Sequence, residues 1–245
     1  MRHENKGNFL TYALLFVINC SQTACTQYVN NFKKPRRLVV ISKIEVFNNS
    51  VKQDPKKRLV LLNDYVNMLV TDFRYATYNN FTHHILYNNP DAFVRLPVAI
   101  ALQKVQEELA EKGLGLKVFD AYRPYSITKE MWKVVPDERY AANPAKGSGH
   151  NRGAAVDVTL VKISTVEELA MPTGFDDFSE KAHHTYMNLP ERVLQNRALL
   201  KTIMEKYGFI SLSTEWWHYS LSNAATDFEL LDLSFDQLKN LENGR

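Results

Sequence analysis

At 245 residues, 45% hydrophobic and 11% aromatic, the chain is long enough to bury one sizeable core and has an ordinary globular composition. The formal charge of +3 is unevenly spread: eleven Lys/Arg face three Asp/Glu up to residue 58, and nineteen face twenty-four beyond it, so the body is slightly acidic and offers no basic face for nucleic acid. Both cysteines, Cys20 and Cys25, fall in the first 25 residues, which excludes a disulfide within the body and leaves His, Asp and Glu to hold any metal there.

The chain begins with Arg2, His3 and Lys6 ahead of an apolar run from Phe9 to Ile18. That run is shorter than the roughly 20 apolar residues a membrane span requires, and it matches the h-region of a secretory signal peptide, so residues 1–25 are expected to direct export to the periplasm or the membrane surface. Gln22-Thr23-Ala24-Cys25 resembles a bacterial lipoprotein cleavage box, with Gln where Leu is usual. Either Cys25 is lipidated, the one expected route to membrane attachment, or the segment is simply cleaved. Residues 26–58 are rich in Asn and Lys, with basic clusters at 33–37 and 56–58 around a short apolar stretch, Leu38 to Phe47. They are expected to form a basic linker with one loosely attached strand, ahead of a folded domain over 59–245.

Within that domain, Met68 to Tyr75 is expected as a strand followed by a turn at Asn79-Asn80. Pro97 opens a helix in which Val98, Ala101, Leu102, Val105 and Leu109 keep the 3.6-residue period, with Gly113 as its left-handed cap. Leu116 to Phe119 reads as a strand delivering Asp120-Ala121-Tyr122-Arg123-Pro124, and Ser126 as the cap of a second helix running to Val135. Ala154 to Val161 alternates as a strand does. Pro190 opens a third helix with Val193, Leu194, Ala198, Leu199 and Ile203 on one face, ended by Gly208, and strands follow at Phe209–Leu212 and Trp216–Leu221. Helices and strands are interspersed without regular βαβ alternation, which predicts an α+β fold with a largely antiparallel sheet.

Two stretches carry the chemistry: Ser148-Gly149-His150-Asn151-Arg152-Gly153-Ala154-Ala155-Val156-Asp157 and Glu215-Trp216-Trp217-His218. Together they hold two histidines, an aspartate and a further carboxylate, which suits three ligands of an open metal site and a base for its water. His150 falls on a loop and Asp157 in the following strand. Residues i and i+3 of a regular strand face opposite sides, so Glu215 and His218 share a site only if Glu215 starts the strand or lies on a bulge. Trp216 and Trp217 are then expected to form an apolar wall. The adjacent pair His183-His184 cannot easily aim at one ion and is read as structural or as supporting the ligands from behind, and His83-His84 as loop residues.

The pattern Ser-x-His-x-x-Gly-x-Ala-x-Asp with Glu-Trp-Trp-His resembles the zinc D-alanyl-D-alanine dipeptidases, a family that includes vancomycin-resistance dipeptidases and is related to D,D-carboxypeptidases. The likeness extends to Asp72-Phe73-Arg74-Tyr75-Ala76-Thr77, to Asp120-Ala121-Tyr122-Arg123-Pro124 and to Met171-Pro172-Thr173-Gly174-Phe175-Asp176, in order. The resemblance implies one zinc ion held by His150, Asp157 and His218, with Glu215 as catalytic base and Arg123 stabilising the transition state. It also implies Ser148 near the substrate carboxylate, and Tyr75 and Asp176 around the free amine of a small D,D-dipeptide.

Overall fold

The computed structural model describes residues 38–243, which belong to one compact unit. The expected signal segment, Cys25 and the first basic cluster lie outside the described residues. Residues 26–32 lie outside them too, and residues 38–58 of the expected linker are part of the folded body. Val40–Ile41 is a strand (β1) paired in parallel with Leu230–Leu231, and Ile44–Gln53 is a helix (α1). Ile44, Phe47 and Val51 recur at helical spacing, and Phe47 is 1% exposed, so an apolar helical face sat within the Asn/Lys-rich composition.

The order continues with Leu59–Leu61 (β2), Val70–Thr71 (β3) and Phe93–Arg95 (β4), of which β2 and β4 pair antiparallel. The strand expected over Met68 to Tyr75 shrinks to β3. Met68 takes a left-handed conformation (φ 56°), and Arg74–Ala76 winds into a 3-10 turn closed by the Arg74 Nε–Asp72 Oδ2 contact at 2.8 Å. Helix α2 spans Leu96–Ala110 with Pro97 in its first turn and Gly113 (φ 70°) just beyond its end, as expected.

Leu114–Asp120 (β5) leads to Tyr125–Val134 (α3). The expected Ser126 cap does not form: the Ser126 N–H lies inside the first turn and donates to Asp232 Oδ1 at 2.8 Å, so a carboxylate 106 residues away meets that orphan donor. Ala155–Lys162 (β6) is buried on both faces except at Lys162. Helix α4, Glu191–Lys206, turns Val193, Leu200, Ile203 and Met204 inward. Ala198, expected inward, is exposed, while Arg197 is buried because its Nη1 donates to the carbonyls of His183 and Tyr186. Phe209–Leu212 (β7), Glu215–Leu221 (β8), Ala224–Asp227 (α5), Leu230–Leu231 (β9) and Phe235–Asn243 (α6) complete the chain.

The main sheet runs β3-β5-β6-β8-β7, antiparallel at every pairing except β3–β5, so the α+β expectation holds. Alternation sends Val156, Val158 and Leu160 of β6 and Tyr219 of β8 into the core built with α2 and α4, and leaves Asp157 and His218 for the opposite face. A second apolar cluster joins Phe47, Tyr75, Tyr87, Tyr122, Met131 and Phe235, and Phe175 packs against both clusters.

Candidate metal centre

Asp157 and His218 are direct cross-strand partners on β6 and β8. His150 reaches them from a 3-10 turn, His150–Arg152, that ends at Gly153 with φ 66°, a conformation costly for any residue with a Cβ. Gly149 is required for a different reason: a Cβ there would lie 2.8 Å from both Ala155 Cβ and Ser220 Oγ, so only glycine lets this turn approach the sheet. His150 and Asp157 are 2% and 3% exposed.

The donor atoms fit a metal ion. His150 Nδ1 lies 2.7 Å from the carbonyl of Ala121, which fixes it as the protonated nitrogen and turns a bare Nε2 inward. His218 Nε2 lies 3.1 Å from Ser220 Oγ, which leaves its Nδ1 inward. The separations are 3.2 Å (His150 Nε2 to His218 Nδ1), 3.3 Å (His150 Nε2 to Asp157 Oδ1) and 2.9 Å (His218 Nδ1 to Asp157 Oδ1). Tetrahedral zinc with bonds of about 2.0–2.1 Å separates its ligand atoms by roughly 3.3 Å. Three converging lone pairs repel one another unless a cation or a proton lies between them. Without a metal the proton wins: burial opposes charging His150, but the Asp157 carboxylate outweighs it and raises the His150 pKa, and the two histidines hold Asp157 low against its own burial. These three are the one group of His, Cys, Asp or Glu among the described residues whose donor atoms lie close enough together that they could hold a metal ion.

Glu215 is the first residue of β8. Ser211 pairs with Tyr219 but Leu212 pairs with Glu215, so β8 bulges between them and brings Glu215 to the same cavity as His218. Its carboxylate has no hydrogen-bond partner among the described residues. Burial pushes its pKa up to about 7, helped by Asp157 and Asp176 and opposed by His218 and Arg123. Arg123, 6% exposed, gives Nε and Nη2 to Asp120 Oδ2 at 2.8 and 2.6 Å and lies 4.8 Å from the centroid of the Tyr75 ring.

Asp176 also lines the cavity. It accepts the Tyr75 hydroxyl at 2.9 Å and the Phe81 N–H at 3.3 Å, and burial pushes its pKa up to about 7. Its backbone is left-handed (φ 62°). Phe175 stacks on Phe119 at 4.7 Å and meets Trp217 edge-on at 5.5 Å, and Trp216 donates its indole N–H to Thr173 at 2.9 Å. Trp217 therefore lines the cavity as expected, whereas Trp216 pins the loop that carries Asp176. Ser148 also lines the cavity, and its Oγ accepts the His150 N–H at 3.2 Å. The cavity encloses about 170 Å³ and brings together all eight expected site residues.

His183 and His184 are absent from the cavity lining. His184 packs edge-on to Tyr219 on the helical face, and burial pushes its pKa down to about 4. Sequence reasoning gave no role to Asp120, Ser220, Tyr140 or Phe178. The signal for Asp120 was a charge ending an apolar strand three residues before Arg123; the others carry no local signal.

An α+β domain with two histidines, an aspartate and an unpaired glutamate around one small cavity could hold a metal ion and has the groups that hydrolytic chemistry uses. The chain belongs to the M15 peptidase family: residues 56–236 match the family model described as D-ala-D-ala dipeptidase, and the protein is a peptidase. It is similar to the D-alanyl-D-alanine dipeptidase of Escherichia coli (strain K12), 34% identical over 158 residues, 64% of this chain and 81% of the relative. The enzymes of the same name from Enterococcus faecalis V583 (34% identical, 66% of this chain and 90% of the relative) and Enterococcus faecium (33%, 65% and 89%) are similarly close. Among solved structures, the LdcB LD-carboxypeptidase aligns with a TM-score of 0.38 and 17% identity over 64% of this chain and 68% of that one.

Proposed function

We propose that the protein is an exported zinc dipeptidase that cleaves D-Ala-D-Ala or a similar D,D-dipeptide in cell-wall metabolism. The observation that carries this reading is Asp176, a half-buried, poorly solvated carboxylate on the wall of a cavity that also holds His150, Asp157, His218 and Glu215. A free substrate ammonium matches that carboxylate. A longer or acylated peptide offers a neutral amide there and leaves the carboxylate buried and unpaired, which is costly. The volume of about 170 Å³ is below the roughly 300–1,000 Å³ of common ligand pockets, which favours a small substrate. The D configuration rests on the family relationship, and export rests on residues 1–25.

A zinc ion on His150, Asp157 and His218 would supply Lewis acidity, polarising the scissile carbonyl and bringing the pKa of a water to about 7. Glu215 then removes a proton from the attacking water and delivers it to the leaving amine nitrogen as the C–N bond breaks. Arg123 places fixed positive charge, through its partnerless Nη1, where the carbonyl oxygen becomes negative. Asp176 and the Tyr75 hydroxyl hold the substrate's ammonium end, and the Trp217 and Phe178 rings exclude water.

The test is hydrolysis of L,L, L,D and D,D dipeptides and of a pentapeptide ending in D-Ala-D-Ala, by the zinc-loaded protein before and after chelation. D,D-dipeptide turnover lost on chelation and restored by zinc is expected. Faster turnover of the pentapeptide would favour a carboxypeptidase instead, and turnover indifferent to chelation would remove the metal from the reaction. Mass spectrometry of the mature N-terminus decides between a lipidated Cys25 and ordinary cleavage.

A further inference from the structure

We infer that Asp120 is a positioning residue for the reaction, holding the Arg123 guanidinium in the one orientation that turns a free N–H toward the substrate carbonyl. The inference rests on the dipeptidase reading above and adds to it a residue and the register slip that places it.

Asp120 is the last residue of β5 and is 1% exposed. Regular antiparallel pairing from Val118↔Val158 would set residue 120 opposite Val156, whose side chain points into the helical core. The register slips between Val118 and Asp120, so Asp120 faces Asp157 instead. A one-residue slip moves a side chain to the other face of a sheet, and here it delivers a carboxylate to the row that also contains Asp157 and His218.

Both oxygens of Asp120 are engaged. Oδ1 accepts the Tyr87 hydroxyl at 2.7 Å, which stops the carboxylate from rotating, and Oδ2 accepts both Nε and Nη2 of Arg123. With those two nitrogens on one oxygen and the Tyr75 ring 4.8 Å from the guanidinium carbon, the guanidinium plane is fixed. Nη1 is left without a partner among the described residues, on a side chain that lines the cavity. A buried ion pair seldom adds net stability, because desolvating both charges offsets their attraction. A pair this buried beside the reacting centre is better explained by orientation.

Asp120 Oδ2 is also 3.5 Å from His150 Nδ1, but that nitrogen has a closer partner in the Ala121 carbonyl at 2.7 Å. The metal ligand therefore keeps its orientation without Asp120, which makes the two roles separable. Asp120→Asn is expected to keep about one zinc per chain and a KM within a few-fold of the parent, and to lower kcat by about 10²-fold, the scale set by misplacing a catalytic group by about 1 Å.

The deciding experiment is a double-mutant cycle on the zinc-loaded full chain, with zinc content and dipeptide kinetics measured for Asp120→Asn, Arg123→Ala and the double variant. If Asp120 acts through Arg123, the double variant is no slower than Arg123→Ala alone. Losses that multiply, or loss of zinc from Asp120→Asn, overturn the assignment. Should Asp120→Asn fail to fold, Tyr87→Phe replaces it: a several-fold fall in kcat that vanishes in the Arg123→Ala background is expected, and an unchanged kcat overturns the assignment. A parent protein inactive on the whole dipeptide panel overturns the functional reading and this assignment together, whereas an active parent with multiplying losses overturns the assignment alone.

Discussion

Replacing Asp176 by Asn should stabilise the fold above neutral pH while damaging substrate binding. Asn is nearly isosteric, tolerates the left-handed backbone at this position (φ 62°) and can still accept the Tyr75 hydroxyl bond. Desolvation pushes the half-buried carboxyl from 3.8 up to about 7, and that difference corresponds to roughly 4 kcal/mol. The sign follows from the raised value: the folded state binds the proton more tightly than the unfolded chain. Stability from this group is thus fully present below pH 3.8 and is lost as pH rises through 7. Asn carries no such dependence. Urea denaturation of parent and variant at pH 4 and pH 8.5 should show the variant gaining on the parent by about 3–4 kcal/mol between the two conditions. The measurement is made with chelator present, because a bound cation would lower the Asp176 pKa and shrink the gap. The same variant, zinc-loaded, should show a raised KM for free dipeptides and a narrowed preference over N-acylated ones. An unfolding free-energy difference that does not change with pH would refute the claim that Asp176 is held charged in a poorly solvated place at neutral pH, and with it the account of dipeptide selectivity.

Glu215→Gln should retain zinc and substrate affinity and lose about 10²–10⁴ in kcat, the range for removing a general base; a kcat near that of the parent sinks the proton-transfer role. Because burial raises the pKa of both Glu215 and Asp176 to about 7, and both act as carboxylates, kcat/KM should fall as pH drops below neutral, with the acid limb shifted lower by a bound cation. Its apparent midpoints belong to the coupled pair, and a rate that climbs between pH 7 and 5 contradicts the assignment. His150→Ala and His218→Ala should each lose tight zinc binding in metal analysis, since two ligands do not complete the site. Gly149→Ala, whose new methyl would lie 2.8 Å from Ala155 Cβ and Ser220 Oγ, should cost about 1–3 kcal/mol in thermal or urea unfolding and weaken zinc binding; a variant with parent stability shows that the turn need not approach the sheet so closely.

The two histidines, the aspartate and the glutamate that meet in the cavity were legible in the sequence because each sits in a short, local pattern. A Gly-bounded turn leading into a strand gives His150 and Asp157, and a strand start gives Glu215 and His218. The helices at 96–110 and 191–206 were legible from Pro at one end, Gly at the other and the apolar period between. What escaped was set by partners far away in the chain. Asp232 meets the N–H of Ser126, which lies inside the first turn of α3 instead of capping it, and carbonyls before α4 draw Arg197 inward where periodicity pointed to Ala198. The helical face of residues 44–53 found its partners only in the assembled second core, so composition alone read it as a tether. The sequence by itself determined which residue types could hold a metal and hydrolyse a peptide bond. Tertiary structure alone decided that Asp120 slips into register with Asp157, and that Asp176 is desolvated beside Tyr75, because register and desolvation are properties of the packed sheet and its loops.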